Sequence, residues 1–408
     1  MRKRVVIIGG GAAGLMAAAE SAKRGNETLL VEKMSRPARK MMITGKGRCN
    51  VTNACFEIED FISHVPHNPR FLYSAVSAFM PYDTVALVES MGVPTKVERG
   101  NRVFPQSDKA VDIVDAFVKY AGQSGVKFVQ GTVSDLEITD GLVTAVLLEN
   151  GERIACDAAA VCTGGKSYPL TGSTGDGYRL AQQAGHHITP LHPSLIPLVA
   201  RNNFITQLQG LSLKNVAIKV LEQDKVIYED FGEMLFTHFG VSGPIILSAS
   251  AHMEEPQGRE YRLVIDLKPA LDEQQLDKRL QRDFAANNNK DFINSLGALL
   301  PNKLIPVIVK LSKIAPAQKC HQITREERRR LVQLLKGLTL DITGFRPIEE
   351  AIVTSGGVDV REINPKTMAS KIVPNLYFAG EVIDVDAYTG GFNLQIAFST
   401  GYLCGQNI

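Results

Sequence analysis

The stretch that most constrains the fold lies at the start of the chain, from Val5 to Glu32. An apolar run, Val5-Val6-Ile7-Ile8, leads into Gly9, Gly11 and Gly14. An Ala-rich segment, Ala12 to Lys23, has helical composition and stops at Gly25. A second apolar run, Thr28-Leu29-Leu30-Val31, ends in Glu32. Strand, glycine turn, helix, strand and acid, in that order, specify a βαβ unit that binds a dinucleotide. Gly9 allows the tight turn out of the strand. Gly11 lets the backbone approach a pyrophosphate, and Gly14 lets the helix pack on the sheet. The helix N-terminus, including Ala12 and Ala13, presents unpaired N–H groups to phosphate. Glu32 follows at close to the ~20-residue spacing at which a carboxylate meets a ribose hydroxyl. The fingerprint does not by itself separate FAD from NAD.

A chain of 408 residues predicts two or three domains, each with its own core. Its 45 basic and 43 acidic residues give a net charge of +2. That excludes a general attraction to nucleic acid or anionic membrane and leaves room only for a local basic face. Trp is absent, so aromatic stacking falls to Phe or Tyr. Six dispersed cysteines (Cys49, Cys55, Cys156, Cys162, Cys320, Cys404) show no CxxC spacing, and a disulfide framework is not expected. Arg2-Lys3-Arg4 imitates the start of a signal peptide, but the glycines and the charges at Glu20, Lys23 and Arg24 fit a nucleotide-binding helix better. No apolar run reaches the ~18 residues of a membrane span. The expectation is a cytoplasmic protein without a membrane partner.

Beyond Glu32 and Lys33, Arg36 to Asn53 reads as a basic, glycine-bearing loop. Arg36, Arg39, Lys40, Lys46 and Arg48 crowd into it, and Gly45 and Gly47 permit unusual backbone angles. It is expected to wrap a polyanionic cofactor, with Arg48 and Asn50 at the cofactor's ring edge. Pro69 to Met91 and Ala110 to Ser124 carry helical periodicity. His64 and His67 form an HxxH, but Pro66 lies between them and no further ligand cluster follows, so no metal site is expected. From Val126 to Val161 the pattern is a β-meander with hairpin signals at Asp140-Gly141 and Asn150-Gly151. It leads to an apolar strand that ends in Thr163-Gly164-Gly165. A βαβ unit, a meander and a strand ending in TGG follow the layout of flavin proteins, which favours FAD over NAD. A Gly/Ser/Thr loop then feeds a helix near Tyr178, with Asp176 as its expected N-cap.

Residues 191–338 read as an inserted, substrate-side domain, β-rich over 191–268 and helical over 269–338. Its last helix has a capping box at Thr324 and Glu327 and stops at Gly337. Residues 1–190 and 339–408 form the dinucleotide-binding domain. Asn375 to Glu381 is a buried strand that ends at Gly380, Asp384 follows, and Gly390-Gly391 opens a C-terminal helix aimed at the flavin's N1/O2 edge.

Together these stretches resemble the bacterial BaiN-like flavoproteins, also called the YhiN-like or aminoacetone-oxidase-like family. The carrying motifs are GGGAAGL at Gly9, MMITGKGRCNVTN at Met41, TGGKSYPLTGSTGDGY at Thr163, LFTHFGVSGP at Leu235, TSGGV at Thr354 and LYFAGEVIDVDAYTGGFNLQIAFSTG at Leu376. The resemblance implies an α/β, Rossmann-type FAD-binding domain of the two-dinucleotide-binding flavoprotein kind, in two sequence pieces. An inserted domain would close over the flavin. The expected FAD contacts are the residues already named, with Thr44, Cys49, Thr132, Val133, Glu381, Phe392, Asn393 and Leu394. The family is tied to reduction of a conjugated C=C in a 3-oxo steroid intermediate and to dihydrouridine formation in ribosomal RNA. Both need hydride from reduced flavin, a donor that polarises the carbonyl, and an acid. His238, Cys49 and Tyr168 are the candidates for the last two roles.

The leading expectation is an FAD-dependent, NAD(P)H-driven reductase of a conjugated carbonyl in a small or steroid-like substrate. The alternative is a ribosomal RNA dihydrouridine synthase with a basic stripe drawn from Arg279, Lys303, Lys310, Lys313, Lys319 and Arg325. A third reading is a non-catalytic flavin-bearing redox or interaction protein. No second GxGxxG is evident, so NAD(P)H would bind transiently over the flavin or another reductant would serve. The sequence leaves the oligomeric state open.

Overall fold

The computed structural model describes residues 2–254 and 258–408. By packing, the chain divides into two units: Met1–Ser194 with Pro347–Ile408, and Leu195–Arg346.

The first unit is built on a five-stranded parallel sheet. Its strand order is Leu376–Phe378, Ala158–Val161, Arg4–Ile8, Glu27–Glu32 and Lys127–Gln130. Val5 to Ile8 and Ala158 to Val161 are buried on both faces, as uninterrupted apolar runs in a covered parallel sheet must be. The helices Ala12–Lys23 and Phe392–Asn407 pack against each other and the sheet. Lys127–Gln130, expected as the first strand of the meander, instead pairs in parallel with Glu27–Glu32. The helix before it, Ala110–Gln123, supplies the crossover that a parallel neighbour requires. The meander proper is Val133–Thr139, Leu142–Leu148 and Arg153–Ala155. Its first turn holds Asp140 and Gly141 at φ 51° and 75°, the left-handed pair that a two-residue hairpin demands.

Pro69 to Ser90 is apolar and long enough to meet the length and hydropathy of a membrane span. In the fold it is a 3₁₀ turn and two helices, Tyr73–Ala78 and Pro81–Ser90, and half of its most apolar window is buried. Pro81 starts a new helix after the extended Phe79 and Met80.

The second unit is a closed antiparallel barrel. Its strands run in the order Leu198–Ala200, Gly240–Ser242, Lys225–Phe236, Ser212–Glu222, Tyr261–Asp266 and Leu338–Phe345. The sequence places the return to the dinucleotide fold at 339. The structure places it after Arg346, because Leu338–Phe345 pairs with Tyr261–Asp266 and with Leu198–Ala200 and so closes the barrel. Helices Glu273–Ala286, Ile305–Ser312 and Arg325–Lys336 fall between the last two strands in sequence. Thr324 caps the last of them: its Oγ1 accepts from Glu327 N at 3.2 Å, and Glu327 Oε2 accepts from Thr324 N at 2.8 Å.

Candidate active site

At the carboxyl ends of the parallel strands the first unit opens into a cleft of about 1320 Å³, counting the space open to solvent. The strand end at Ile8, the turn at Gly9 and Gly11, and the helix start at Ala12 and Ala13 form one wall. Gly14 lies outside it and serves packing. A Cβ there would sit 1.8 Å from the Gly9 carbonyl oxygen, whereas one at Gly11 would meet nothing within 4 Å. Gly11 therefore keeps the cleft open, and Gly14 keeps the helix on the strand.

Glu32 and Lys33 line the next stretch. The Glu32 carboxylate accepts from Gly10 N and from Met34 N, each at 2.7 Å, which fixes it at the strand end with lone pairs to spare. Lys33 Nζ donates to Asp176 at 2.6 Å. Asp176 is thus an ion-pair partner in the cleft wall and the first residue of its helix. Gly175, at φ 86°, is the cap, and no side chain caps that helix. The expected N-cap is displaced by one residue because Lys33 takes the carboxylate.

Arg36 to Asn53, expected as a loop, contains the helical stretch Arg39–Gly47, broken at Thr44 to Lys46 by non-helical angles. Arg39, Lys40 and Thr44 line the cleft, with Met41. Arg39 has no side-chain partner among the described residues. Lys40 Nζ donates to Glu381 Oε2 at 2.7 Å and to Ser167 Oγ at 2.6 Å. Glu381 also accepts from Thr354 N at 2.9 Å. Thr132, Val133, Thr163, Gly164, Gly380, Asn393 and Leu394 complete the expected residues found in the wall.

The remaining expected residues lie elsewhere. Arg48 turns away: its guanidinium pairs with Glu98 at 2.9 Å and Asp108 at 3.2 Å and stacks on Phe104 at 4.0 Å. Those carboxylates hold it above the ordinary arginine range. Gly45 and Gly47 shape the same bend and do not face the cleft. Asn50 is outside the wall and leaves a buried Oδ1 without a partner. Gly165 makes room for the Glu381–Thr354 contact; a Cβ would come within 2.7 Å of both side chains. Asp384 is not in the wall, and burial raises its pKa. Gly391 packs on the Thr52 carbonyl, and Phe392 is buried, stacked 4.3 Å from His64. The sequence reading missed Ile352, Val353, Val385 and Ala397, which also line the cleft. Ala397 was legible as the residue one turn beyond Asn393 and Leu394 on the same helix face.

The proposed acids are dispersed. Cys49 is fully buried, outside the cleft wall, and burial pushes its thiol up to about 12. Tyr168, at φ 53°, lies outside the wall as well; burial and then the Glu350 charge raise its phenol. His238 belongs to the second unit, exposed at the turn after Phe236 with its ring edge-on to Phe239 at 4.9 Å. The HxxH histidines have separate partners. His64 Nδ1 donates to the Asp60 carbonyl at 2.8 Å. Cys55 Sγ donates to the Asp60 carboxylate at 3.0 Å, so the grouping of Cys55, Asp60 and His64 is tied together by its own hydrogen bonds. All six cysteines are free and buried.

His67 Nδ1 pairs at 2.7 Å with Asp386, which is 1% exposed and also accepts from Ser194 and Ser355. That hydrogen bond raises the His67 pKa above the ordinary 6.5, against the opposing effect of burial, and the Asp386 and Asp384 charges add to the rise. A raised folded-state pKa means that the ion pair stabilises fully below the unfolded value and is lost as pH rises through the folded one. Histidine NMR should show His67 titrating above 6.5. In Asp386→Asn its pKa should fall and the pH dependence of stability over that window should flatten.

The cleft's residues fit FAD. Open space faces Gly11, a helix N-terminus meets it, and a fixed carboxylate ends the second strand. Thr163 adds a buried Oγ1 that no protein group satisfies. Fold and cleft together define an oxidoreductase of the FAD-binding Rossmann class. A profile of the HI0933-like protein Rossmann domain matches residues 3–407, and the chain belongs to that family.

Among its relatives, the ribosomal RNA dihydrouridine synthase of Haemophilus influenzae is 32% identical over 408 residues, 99% of this chain and 98% of that protein. The 3-dehydro-bile acid delta(4,6)-reductase of Clostridium scindens is 30% identical over 408 residues, with the same coverage. The solved 3-ketosteroid delta1-dehydrogenase from Sterolibacterium denitrificans is 11% identical, with a TM-score of 0.51 over 99% of this chain and 98% of that one. That likeness concerns the fold alone.

Proposed function

We propose that the protein reduces a C=C bond conjugated to a carbonyl, and that the bond belongs to a uracil ring in RNA. The observation that carries this reading is full-length kinship to two enzymes whose named reactions are the same bond change. Making dihydrouridine from uridine, and removing a delta(4) bond from a 3-oxo steroid, both add hydride to the β-carbon of an enone-like system and a proton to its neighbour; a delta(6) bond takes the hydride at the vinylogous δ-carbon.

FAD, when bound, supplies the hydride, and NAD(P)H or an equivalent two-electron donor restores it. The chain's own part is to hold and shield. The Gly9–Ala13 turn and Glu32 bind the dinucleotide. Lys40, fixed by Glu381 and Ser167, sets a positive charge in the wall, where negative charge on a reduced ring is favoured. The N-terminus of Phe392–Asn407 adds its partial positive charge beside Asn393.

RNA is preferred over a steroid for the chemistry of the second unit's surface groove. Arg201, Lys310, Asp341 and amides line it together with Phe204, Val307 and Leu311, and charges set among apolar side chains suit phosphates and bases better than the wholly apolar wall a steroid needs. The bile-acid relative keeps a steroid-like enone as the second reading.

The test is anaerobic. The holoenzyme's flavin is photoreduced, mixed with ribosomal RNA lacking the modification or with a hydrophobic cyclic enone, and followed by visible absorbance. Rapid return of the oxidised spectrum with RNA and not with the enone is expected. Return with the enone alone would transfer the reading to the small-molecule substrate. Return only with oxygen would reject C=C reduction on both substrates.

A further inference from the structure

The groove in the second unit has a chemistry that the cleft does not share. It encloses about 920 Å³, counting space open to solvent, between the segment after Leu198–Ala200, the strand Leu338–Phe345 and the helix Ile305–Ser312. Arg201, Phe204, Lys310 and Asp341 line it, with the amides of Asn203 and Gln207.

The backbone under these groups is fixed. Arg201 N donates to the Asp341 carbonyl at 3.0 Å, and Asp341 N donates to Asn202 Oδ1 at 2.8 Å. Lys310 lies in the last turn of its helix, where a cation also meets the helix dipole favourably.

Several cations elsewhere on the unit are spent on acids: Lys219 on Glu229, Arg259 on Glu222 and Glu254, Arg279 on Asp283, Lys319 on Asp291, Arg328 on Asp277 and Lys336 on Asp266. Lys303 is held by the Gln209 carbonyl. Arg201 and Lys310 have no side-chain partner among the described residues, and both face the groove. Of the six residues expected to form a basic stripe, three are thus neutralised or tied (Arg279, Lys303 and Lys319), and Lys310 is the one that reaches a groove.

Two unpaired cations, an aromatic ring that packs on the barrel core and is only partly buried, and an acid beside two amides match one kind of ligand. Phosphates take the cations, a base stacks on Phe204, and the acid and amides meet the N–H and C=O groups of the base edge. Asp341 opposes phosphate directly, so its carboxylate meets the base edge while Arg201 and Lys310 take the backbone phosphates. A duplex hides its base faces, so the ligand must be single-stranded.

The geometry points to this groove as a binding site for single-stranded RNA, a reading that rests on the proposed RNA substrate and locates its recognition on the second unit. It is separate from the FAD cleft, whose wall contains only first-unit residues.

The experiment uses the FAD-loaded full-length protein and a fluorescently labelled single-stranded oligouridylate, with binding read by anisotropy over a salt series. Phe204→Ala should weaken binding roughly ten- to a hundred-fold, as loss of one base–aromatic stack does. Arg201→Ala with Lys310→Ala should weaken it about as much and lower the salt slope by roughly two phosphate contacts. Lys290→Ala, an exposed cation away from the groove, should bind as wild type does. Unchanged flavin content shows that the first unit is intact in each variant, and the melting transition shows the same for the second. Wild-type affinity and salt slope in both groove variants would overturn the groove and leave RNA as a substrate standing. Absence of wild-type binding, or binding only to phosphatidylglycerol vesicles, would overturn the groove and the RNA reading together.

Discussion

Gly14→Ala is expected to yield protein that neither folds fully nor retains flavin, while Gly11→Ala folds and fails only at the cofactor. The two positions lie three residues apart in one turn. A methyl group at Gly14 would sit 1.8 Å from the Gly9 carbonyl oxygen and 3.3 Å from the Cys162 Cβ, with no flexible atom to yield. Relief requires lifting the helix Ala12–Lys23 off the strand Arg4–Ile8, which opens the centre of the sheet. The cost is about 3 kcal/mol or more, the upper range for overpacking a core. A methyl group at Gly11 meets no protein atom within 4 Å and projects where the diphosphate must approach. The apoprotein should keep its wild-type melting temperature, and FAD affinity should fall roughly ten- to a hundred-fold, the equivalent of 1–3 kcal/mol of overpacking against the ligand. Thermal denaturation of the apoproteins and FAD titration separate the two outcomes. Equal stability losses in both variants would contradict the division of labour.

Lys40→Met should be the most damaging single change in the cleft wall. The Lys40–Glu381 pair is 2.7 Å long with side chains 23% and 19% exposed, and Ser167 and Thr354 add hydrogen bonds to it. Removing the ammonium leaves Glu381 partly buried with only the neutral donors Ser167 Oγ and Thr354 N and its main counter-charge gone. The cost should be roughly 2–4 kcal/mol, somewhat below that of breaking a fully buried pair. The double variant Lys40→Met/Glu381→Gln should recover much of that stability, because neither charge is stranded. FAD affinity should remain low in both, since both lack the positive charge in the wall. Urea denaturation and flavin retention measure the two effects. Recovery of flavin binding in the double variant would show that Lys40 acts on the fold alone.

Local rules made much of this molecule readable. The turn at Gly9, the carboxylate at Glu32, the hairpin at Asp140-Gly141 and the cap at Thr324 each follow from residues within a few positions of one another, or at a fixed spacing. Pairings between distant residues were not readable. Arg48 looked like a cofactor ligand because its own loop is basic and glycine-bearing. Its partners Glu98 and Asp108 lie 50 and 60 positions away, and nothing near Arg48 announces them. Lys127–Gln130 read as meander because short strands look alike, and only its neighbour Glu27–Glu32 reveals the parallel pairing. Leu338–Phe345 read as a return to the first domain, yet its register with Tyr261–Asp266 assigns it to the barrel. Cys49 has the right chemistry for a proton donor, but its burial comes from packing that its own sequence motif does not display.

One measurement bears most directly on the central claim, that reducing equivalents carried by this protein end in a uracil ring. Photoreduced holoenzyme is given one equivalent of ribosomal RNA lacking the modification under anaerobic conditions, and the RNA is digested to nucleosides and analysed by mass spectrometry. The expected result is one uridine per reoxidised flavin converted to a nucleoside heavier by two hydrogens and without the pyrimidine's ultraviolet absorbance. Flavin reoxidised with every uridine unchanged in mass, or flavin left reduced in the presence of the RNA, would contradict it.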